Sequence, residues 1–429
     1  MANVVVIGAG LGGLPAAYEL RHRLGRQHRV TLVSEFPQFT FVPGLVQVGL
    51  GQIPLAQVQL DVAMLAGYHN LDWVQGRVRR IDPVVRRVYT AAQELPYDYL
   101  VIASGAELAN DLLPGLGVYS HSVCTPAHAL AARSAWEQFV QNPGDLVVGA
   151  APGAGCFGPA YEFVLLAEAD LRRRGLRQQV NITYITPEPY IGHLGVKQVK
   201  NAQELTEKLM RQRGIQTVTN ARIVAVHPDR VELADGRVFP FGYSMILPAF
   251  RGAEFVRVSG LGNEKGFLPT LPTLQHPQYP EIYGVGVSVH LDQPDQTLVP
   301  IGLPKSGQMT EAMAMVAAHN IAVALGAVQA PPHVPTLEAL CFADYGGTGI
   351  AYIAAPVLPD PMTGQRRYSY AAAGRWVTWA KAAFEHYFMI KMRLGLGLPW
   401  FEKLGIRLLF GLALSQPAPV HLLAQPMQV

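Results

Sequence analysis

A strand, a glycine loop and a helix open the chain, and they restrict its fold more than any other stretch. Val4–Ile7 is a run of branched aliphatic residues, Gly8-Ala9-Gly10-Leu11-Gly12-Gly13 follows, and Pro15–Leu24 reads as a helix. A GxGxxG pattern in that setting uses Gly8 for a tight turn, lets the backbone at Gly10 approach a pyrophosphate, and packs helix against strand at Gly13. The free N–H groups and the dipole at the helix N-terminus then favour the anion. The spacing predicts a parallel α/β domain that binds a dinucleotide. A second strand, Arg29–Val33, ends at Ser34 and Glu35. An acid that hydrogen-bonds a ribose is expected there, and either side chain has the chemistry for it.

A second, altered loop lies at Val147–Glu162, VVGAAPGAGCFGPAYE. Gly149 holds the first glycine place, but Ala151 and Ala154 stand where the second and third belong. Cys156 stands where NADH-using flavoenzymes with two such loops carry a Glu. The stretch resembles a nicotinamide site whose chemistry has been exchanged for a thiol. Taken alone, a cysteine in a Gly/Ala turn is equally a small buried hydrophobe.

A chain of 429 residues is too long for one ordinary core, so two or three domains are expected. Half of it is hydrophobic and 15% is charged, which predicts a surface that meets something apolar. The net charge of +3 and the lack of a basic run with interleaved aromatics exclude nucleic acid as the expected partner. The three cysteines, Cys124, Cys156 and Cys341, form no CxxC pair, so no metal site is expected. Their odd number also argues against a framework of structural disulfides. No targeting segment is read after Met1, and no run approaches the roughly 18 apolar residues of a spanning helix.

Along the chain, Gln38–Pro43 reads as a loop, and Leu71–Ile81 and Val84–Thr90 as short strands. Tyr97–Gly105 is a strand ending in Ala103-Ser104-Gly105, similar to the turn that closes the first domain of two-dinucleotide flavoenzymes. If Pro126 starts a helix, Cys124 precedes its N-terminus, where a thiolate is favoured. His128 is then either a base for that thiol or a surface histidine. Leu165–Arg174 reads as an exposed helix, Val180–Ile185 as a strand, and Pro187–Gly195 as a loop carrying His193. Ile282–Val289 reads as a strand in which Gly286 is followed by Val287, not by the Asp usual in such enzymes. Met309–Leu325 reads as a helix, and Lys305 before it either faces a flavin ring or is solvated on a turn. Ala330–Thr336 reads as a linker. Arg375–Arg393 and Trp400–Leu414 mix aromatic and apolar residues with Lys381, His386, Lys391, Arg393, Lys403 and Arg407. Such helices lie in a membrane interface or pack on the core or a second subunit.

The pieces IGAGLGGLPAAYEL, GAGCFGPAYE, EPYIGHLG, CFADYG and GRWVTWAKAAFEHYF, with the spacing of the cysteines, resemble bacterial sulfide:quinone oxidoreductases over nearly the whole chain. The resemblance implies an α/β fold like glutathione reductase. Two Rossmann-type domains would be followed by a C-terminal membrane-attachment region with amphipathic helices. It divides the chain into an FAD-binding domain at 1–114 and 251–330, a second Rossmann-like domain at 115–250, and a quinone-site and membrane region at 331–429. The implied cofactor is FAD, held by Gly8, Gly10, Gly13, Ser34, Glu35, Ala103, Ser104, Gly105, Gly286 and Lys305. Cys156 and Cys341 match the pair that carries sulfur as a disulfide or a longer bridge, and Cys124 matches the third cysteine. His128 and His193 match histidines near the sulfide site. Phe342, Lys381, Phe384 and Tyr387 match the quinone region.

The implied activity oxidises hydrosulfide to polysulfide or elemental sulfur and passes two electrons through FAD to a membrane quinone, whether ubiquinone, plastoquinone or menaquinone. The implied placement is peripheral (monotopic) on the membrane, on its cytoplasmic face, and a homo-oligomer is compatible with it. Two alternatives stand beside this one. A type II NADH:quinone oxidoreductase is disfavoured by Ala151, Ala154 and Cys156. A non-catalytic sulfide-sensing flavoprotein is disfavoured by the three cysteines and the apolar tail.

Overall fold

The computed structural model describes residues 1–293, 296–360 and 362–419. Two parallel sheets frame it. The first contains β1 (Asn3–Ile7), β2 (Arg29–Ser34), β3 (Asp72–Gln75) and β4 (Tyr99–Ile102) in the order β4-β1-β2-β3. Both faces of this sheet are covered, which is why β1 is a continuous apolar run. Val4 and Val6 enter one core, and Val5 and Ile7 enter another, as the two-residue period of a strand requires. α1 (Gly13–Leu24) starts at the glycine loop and buries Leu14, Ala17 and Leu20.

The second sheet contains β5 (Leu146–Ala150), β6 (Ile182–Ile185), β7 (Ile215–Val218) and β8 (Tyr243–Leu247), all parallel, in the order β7-β6-β5-β8. α2 (Pro126–Phe139) precedes β5 and α3 (Gly158–Arg173) follows it. Each half inserts an antiparallel three-stranded meander before its last strand, Val78–Pro96 in the first and Ile223–Pro240 in the second. β9 (Ile282–Gly284) then returns to the first sheet beside β4, and α4 (Gly307–Ala324) packs against α1. An antiparallel sheet of β10 (Ala339–Asp344), β11 (Gly349–Ala355) and β12 (Tyr368–Gly374) follows, and α5 (Arg375–Arg393) continues directly from β12. α6 (Trp400–Phe410) is the last helix among the described residues.

Several expectations are corrected. The helix expected at Leu165–Arg174 begins earlier, at Gly158, and is largely buried. Its acids look solvent-facing in sequence but are neutralised in place. Glu168 takes Arg172 at 2.7 Å and Arg213 at 2.5 Å, and Asp170 takes Arg174 at 2.7 Å. Gln38–Pro43 is not a plain loop. Gln38–Thr40 pairs with Gln59–Asp61, while Phe39 and Phe41 are core residues whose rings lie 6.3 and 5.1 Å from that of Phe388. The strand expected over Ile282–Val289 stops at Gly284, and Gly286, at φ +71°, turns the chain into a short 3-10 helix. The expected linker contains a strand as well, His333–Pro335, paired with Ser415–Pro417.

Candidate functional site

The cleft at the end of the first sheet is shaped by its glycines. A Cβ on Gly8 would lie 2.4 Å from the Ala103 carbonyl oxygen, and one on Gly13 would lie 1.7 Å from that of Gly8. Gly10 and Gly105 face open space. The Ser104 hydroxyl is buried without a hydrogen-bond partner among the described residues. So is Gln308 Nε2 at the start of α4, although its Oε1 accepts the Leu340 N–H at 3.0 Å. Unpartnered buried polar atoms beside an open glycine backbone fit a polar cofactor that supplies the missing bonds. Ser34 is engaged within the protein, donating to the Phe36 carbonyl at 2.9 Å and accepting from Trp73 Nε1 at 3.1 Å. Glu35 is exposed, 4.0 Å from Arg77, and is the freer of the two for a ribose. Gly286 must be glycine here, since a Cβ would lie 2.6 Å from Thr310 Cγ2. Lys305 lies 5.9 Å from the Phe267 ring, and burial pushes its ammonium down to about 8, so it is not the solvated lysine of an open turn.

The three cysteines come from separate parts of the chain, Cys124 before α2, Cys156 before α3 and Cys341 on β10, and meet electrostatically. All are free thiols, and the charge of Cys156 raises both Cys124 and Cys341. Burial is the larger cause, and it pushes Cys124 and Cys341 up to about 12. The α2 terminus therefore does not make Cys124 a thiolate. Thr125 caps that helix, accepting the His128 N–H at 3.2 Å, and desolvation outweighs the dipole. Cys341 keeps accessible surface, although desolvation by the surrounding protein still raises its thiol. His128 Nδ1 lies 3.1 Å from Ser122 Oγ, and Ser122 hydrogen-bonds Cys124. Burial lowers His128 and keeps its imidazole neutral. His193 is fully buried, edge-on to Tyr190 at 5.0 Å.

At the altered glycine loop, the donors a second pyrophosphate would need are already in use. Gly153 N–H goes to the Pro300 carbonyl at 2.7 Å, Ala154 N–H to Ala151 at 3.1 Å, and Ala151 N–H to Leu247 at 2.8 Å. Gly302 packs on the loop, and a Cβ on Gly155 would lie 2.6 Å from Phe250.

Residues 2–286 match the pyridine nucleotide-disulphide oxidoreductase family. The sulfide-quinone reductase of Aquifex aeolicus (strain VF5) is 36% identical over 411 residues, 94% of this chain and 93% of that one. The chain belongs to the sulfide:quinone oxidoreductase family. The X-ray structure of the sulfide:quinone oxidoreductase from Aquifex aeolicus matches with a TM-score of 0.93 and 35% identity over 97% of both chains. NDH2 from Plasmodium falciparum in complex with NADH matches with a TM-score of 0.66 over 95% of this chain and 98% of that one. At 13% identity it shares the fold alone.

In this member of the sulfide:quinone oxidoreductase family, Cys341 and Phe342 are consecutive on β10 and so point to opposite faces. Phe342 lies 6.4 Å from Trp376 on α5 and 6.0 Å from Phe410 on α6. Phe384 packs on Phe388 at 5.9 Å, and the Tyr387 hydroxyl donates to Glu402 at 2.7 Å. Lys381 and Lys391 are not on a polar outer face. Lys381 is buried against Glu162 and Glu385, and Lys391 against Glu311 at 2.7 Å and Glu402 at 2.9 Å. Trp379, Trp400, Leu408 and Leu409 point outward instead, 73, 75, 74 and 77% exposed, with Lys403 and Arg407 also exposed. Among the described residues no helix is long and apolar enough to cross a membrane. Sequence reasoning missed Gln308 and Glu162 as site residues, because only their distant partners, Leu340 and Lys381, mark them out.

Proposed function

We propose that this protein oxidises hydrosulfide and delivers the electrons to a membrane quinone, with FAD in the cleft of the first sheet. The observation that carries this reading is the placement of Cys156, in an altered nucleotide loop, within electrostatic reach of both Cys124 and Cys341. Bound FAD supplies a two-electron acceptor between the sulfur side and the quinone side. Gly8, Gly10, Gly13, Glu35, Ser104, Gly105, Gly286 and Lys305 are the residues to hold it, with Gln308 added and Ser34 and Ala103 shaping the wall.

Buried thiols with such raised pKa values are poor thiolates, so an uncharged sulfur bridge between Cys156 and Cys341 suits the site. Hydrosulfide attacks the bridge and leaves a persulfide on one cysteine and a thiolate on the other. Loss of two electrons and one proton from that pair closes a bridge one sulfur longer. His128, neutral and linked to Cys124 through Ser122, can take a proton on the sulfide side, and His193 lines the neighbouring loop. Phe342, Phe384 and Tyr387 offer an aromatic seat for the quinone ring, with Lys381 behind them. The exposed aromatic and aliphatic face of α5 and α6 lies in the membrane interface, so that the quinone enters without crossing water. Peripheral attachment follows from this reading, and the cytoplasmic face is the side proposed for it. The domain division is that at 1–114 with 251–330, 115–250 and 331–429.

The test is anaerobic absorbance of the flavin. Sulfide should bleach it and a short-chain quinone should restore it. Bleaching by NADH in a parallel cuvette would favour a type II NADH:quinone oxidoreductase instead.

A further inference from the structure

Lys391 on α5 is held between two acids from two other helices. Its ammonium lies 2.7 Å from Glu311 on α4 and 2.9 Å from Glu402 on α6. The side chains of Lys391, Glu311 and Glu402 are 0, 1 and 8% exposed. Two carboxylates and one ammonium leave the triad with one negative charge in excess, in a place where water does not solvate it. One added proton makes it neutral. The geometry offers that proton a place. Glu402 accepts from Lys391 through both oxygens, at 3.1 and 2.9 Å, and its Oε2 also accepts the Tyr387 hydroxyl at 2.7 Å. Glu311 Oε1, by contrast, has no hydrogen-bond partner among the described residues, since the nearby ammonium lies outside hydrogen-bond geometry. It is a buried carboxylate oxygen open to a proton.

Tyr387 joins this triad to the quinone region. It stands three residues after Phe384 and four before Lys391, so the three share one face of α5. Burial and the Glu402 carboxylate raise the phenol and keep it protonated. Burial also raises Glu311, while the Lys391 ammonium opposes the rise. The other charges acting on Glu311 are Glu402, which disfavours its ionised form, and Lys403 on α6, which favours it. On α1, which packs against α4, Glu19 is taken by Arg23 at 2.7 Å. Tyr18 of α1 donates to the Met392 carbonyl at 2.9 Å and is kept neutral by burial. His69 lies 3.0 Å from the Arg393 carbonyl at the end of α5.

We propose that Glu311, Lys391 and Glu402 store one proton and pass it through the Tyr387 hydroxyl to the quinone as it is reduced. This rests on the quinone reading above. Lys391 hands one of its protons to Glu402 as it takes one from Glu311. Glu402 then donates to the Tyr387 oxygen, and Tyr387 gives its own hydroxyl proton to a quinone oxygen. The step moves a proton and no electron, since the electron pair comes from the sulfide side. It leaves the triad one proton short, and water at the exposed edge of Glu402 restores it. The second proton of the quinol comes from water at the mouth of the site.

The test uses the full FAD-loaded chain, its flavin reduced anaerobically by light without sulfide. Reoxidation by decylubiquinone is followed in a stopped-flow instrument over a range of quinone concentrations and pH. Tyr387→Phe keeps the ring and removes the hydroxyl. It should lower the limiting rate by about a hundredfold and leave the half-saturating quinone concentration unchanged. Ferricenium takes electrons and no proton, and it should reoxidise parent and variant equally fast. Glu311→Gln keeps the size of the side chain and leaves Lys391 paired with Glu402. It should slow the quinone step too and abolish the fall in rate that the parent shows as rising pH strips the stored proton. An unchanged limiting rate in Tyr387→Phe overturns the proposal. So does an equal loss with quinone and ferricenium, which marks a structural disturbance, or a change in half-saturation alone, which makes Tyr387 a seat only. If Tyr387→Phe does not fold, a parental pH profile in Glu311→Gln overturns it. A parent chain that decylubiquinone does not reoxidise sinks the quinone reading itself, a result distinct from each of these.

Discussion

Lys381 on α5 is buried against the carboxylate of Glu162 on α3, and Glu385 stands 3.5 Å from the same ammonium. Glu162 lies six residues beyond Cys156, near the start of α3, so this pair joins the sulfur loop to the C-terminal helices. Burial lowers Lys381 and raises Glu385, the signature of charges held out of water. Removing one partner strands the other. Lys381→Met should cost about 3–5 kcal/mol in urea unfolding, and Lys381→Met with Glu162→Leu should recover a good part of it. A single variant as stable as the parent would show that the pair is solvated.

Cys156→Ala and Cys341→Ala should each lower sulfide-dependent quinone reduction by about a hundredfold or more, as expected for loss of a group that forms covalent intermediates. The flavin should remain bound, because the residues proposed to hold it do not include either cysteine. Near-parental turnover in either variant would remove the sulfur bridge from the mechanism.

The Ser104 hydroxyl separates a cofactor bond from a structural one. It has no partner among the described residues, so Ser104→Ala should leave the stability of the flavin-free chain within about 0.5 kcal/mol. Flavin affinity should fall about fivefold, near 1 kcal/mol, in a fluorescence titration. Gly8→Ala should abolish flavin retention outright, since its Cβ would meet the Ala103 carbonyl oxygen at 2.4 Å. Equal flavin affinity in Ser104→Ala would place the cofactor away from this turn.

These sites differ in how far the amino-acid sequence reveals them. The glycine loop is legible because its requirement is local: Gly8, Gly10 and Gly13 answer to backbone sterics over six residues. The strands of both parallel sheets are legible for the same reason, as short apolar runs between turns. The approach of Cys124, Cys156 and Cys341 is not local, because two precede different helices, the third lies on a strand, and only the assembled fold brings their charges into range. Lys381 and Lys391 show the limit of pattern reading. A lysine counts toward a polar face until an acid 219 residues away, or one on another helix, turns it inward. Glu168 and Asp170 reverse the exposure expected of α3 by the same pairing.

Lys305 gives a pH-dependent signature. Its folded pKa of about 8 lies below the usual lysine value of 10.5, so the folded flavin-free chain binds fewer protons than the unfolded one between those values. Stability therefore rises with pH across that window, and the cost of burying the charge is fully present below pH 8. Lys305→Met should stabilise the flavin-free chain by on the order of 2 kcal/mol at pH 7, with the gain fading toward pH 10. A gain that does not change with pH would mean that packing, and not charge, accounts for it.

The outward face of α5 and α6 tests how the chain meets the membrane. Trp379, Trp400, Leu408 and Leu409 leave most of their surface in water, and a large apolar side chain contributes about 1.5–3 kcal/mol when it is buried. Leu408→Asp with Leu409→Asp should weaken sedimentation with neutral vesicles by about a hundredfold or more, a loss of roughly 3 kcal/mol. Lys403 and Arg407, also exposed, act through charge. Their replacement by Ala should matter only with anionic vesicles, by about 1 kcal/mol each, and high salt should erase the difference. If salt alone released the parent chain from neutral and anionic vesicles alike, attachment would be electrostatic, and the aromatic face of α5 and α6 would have to serve a contact with protein.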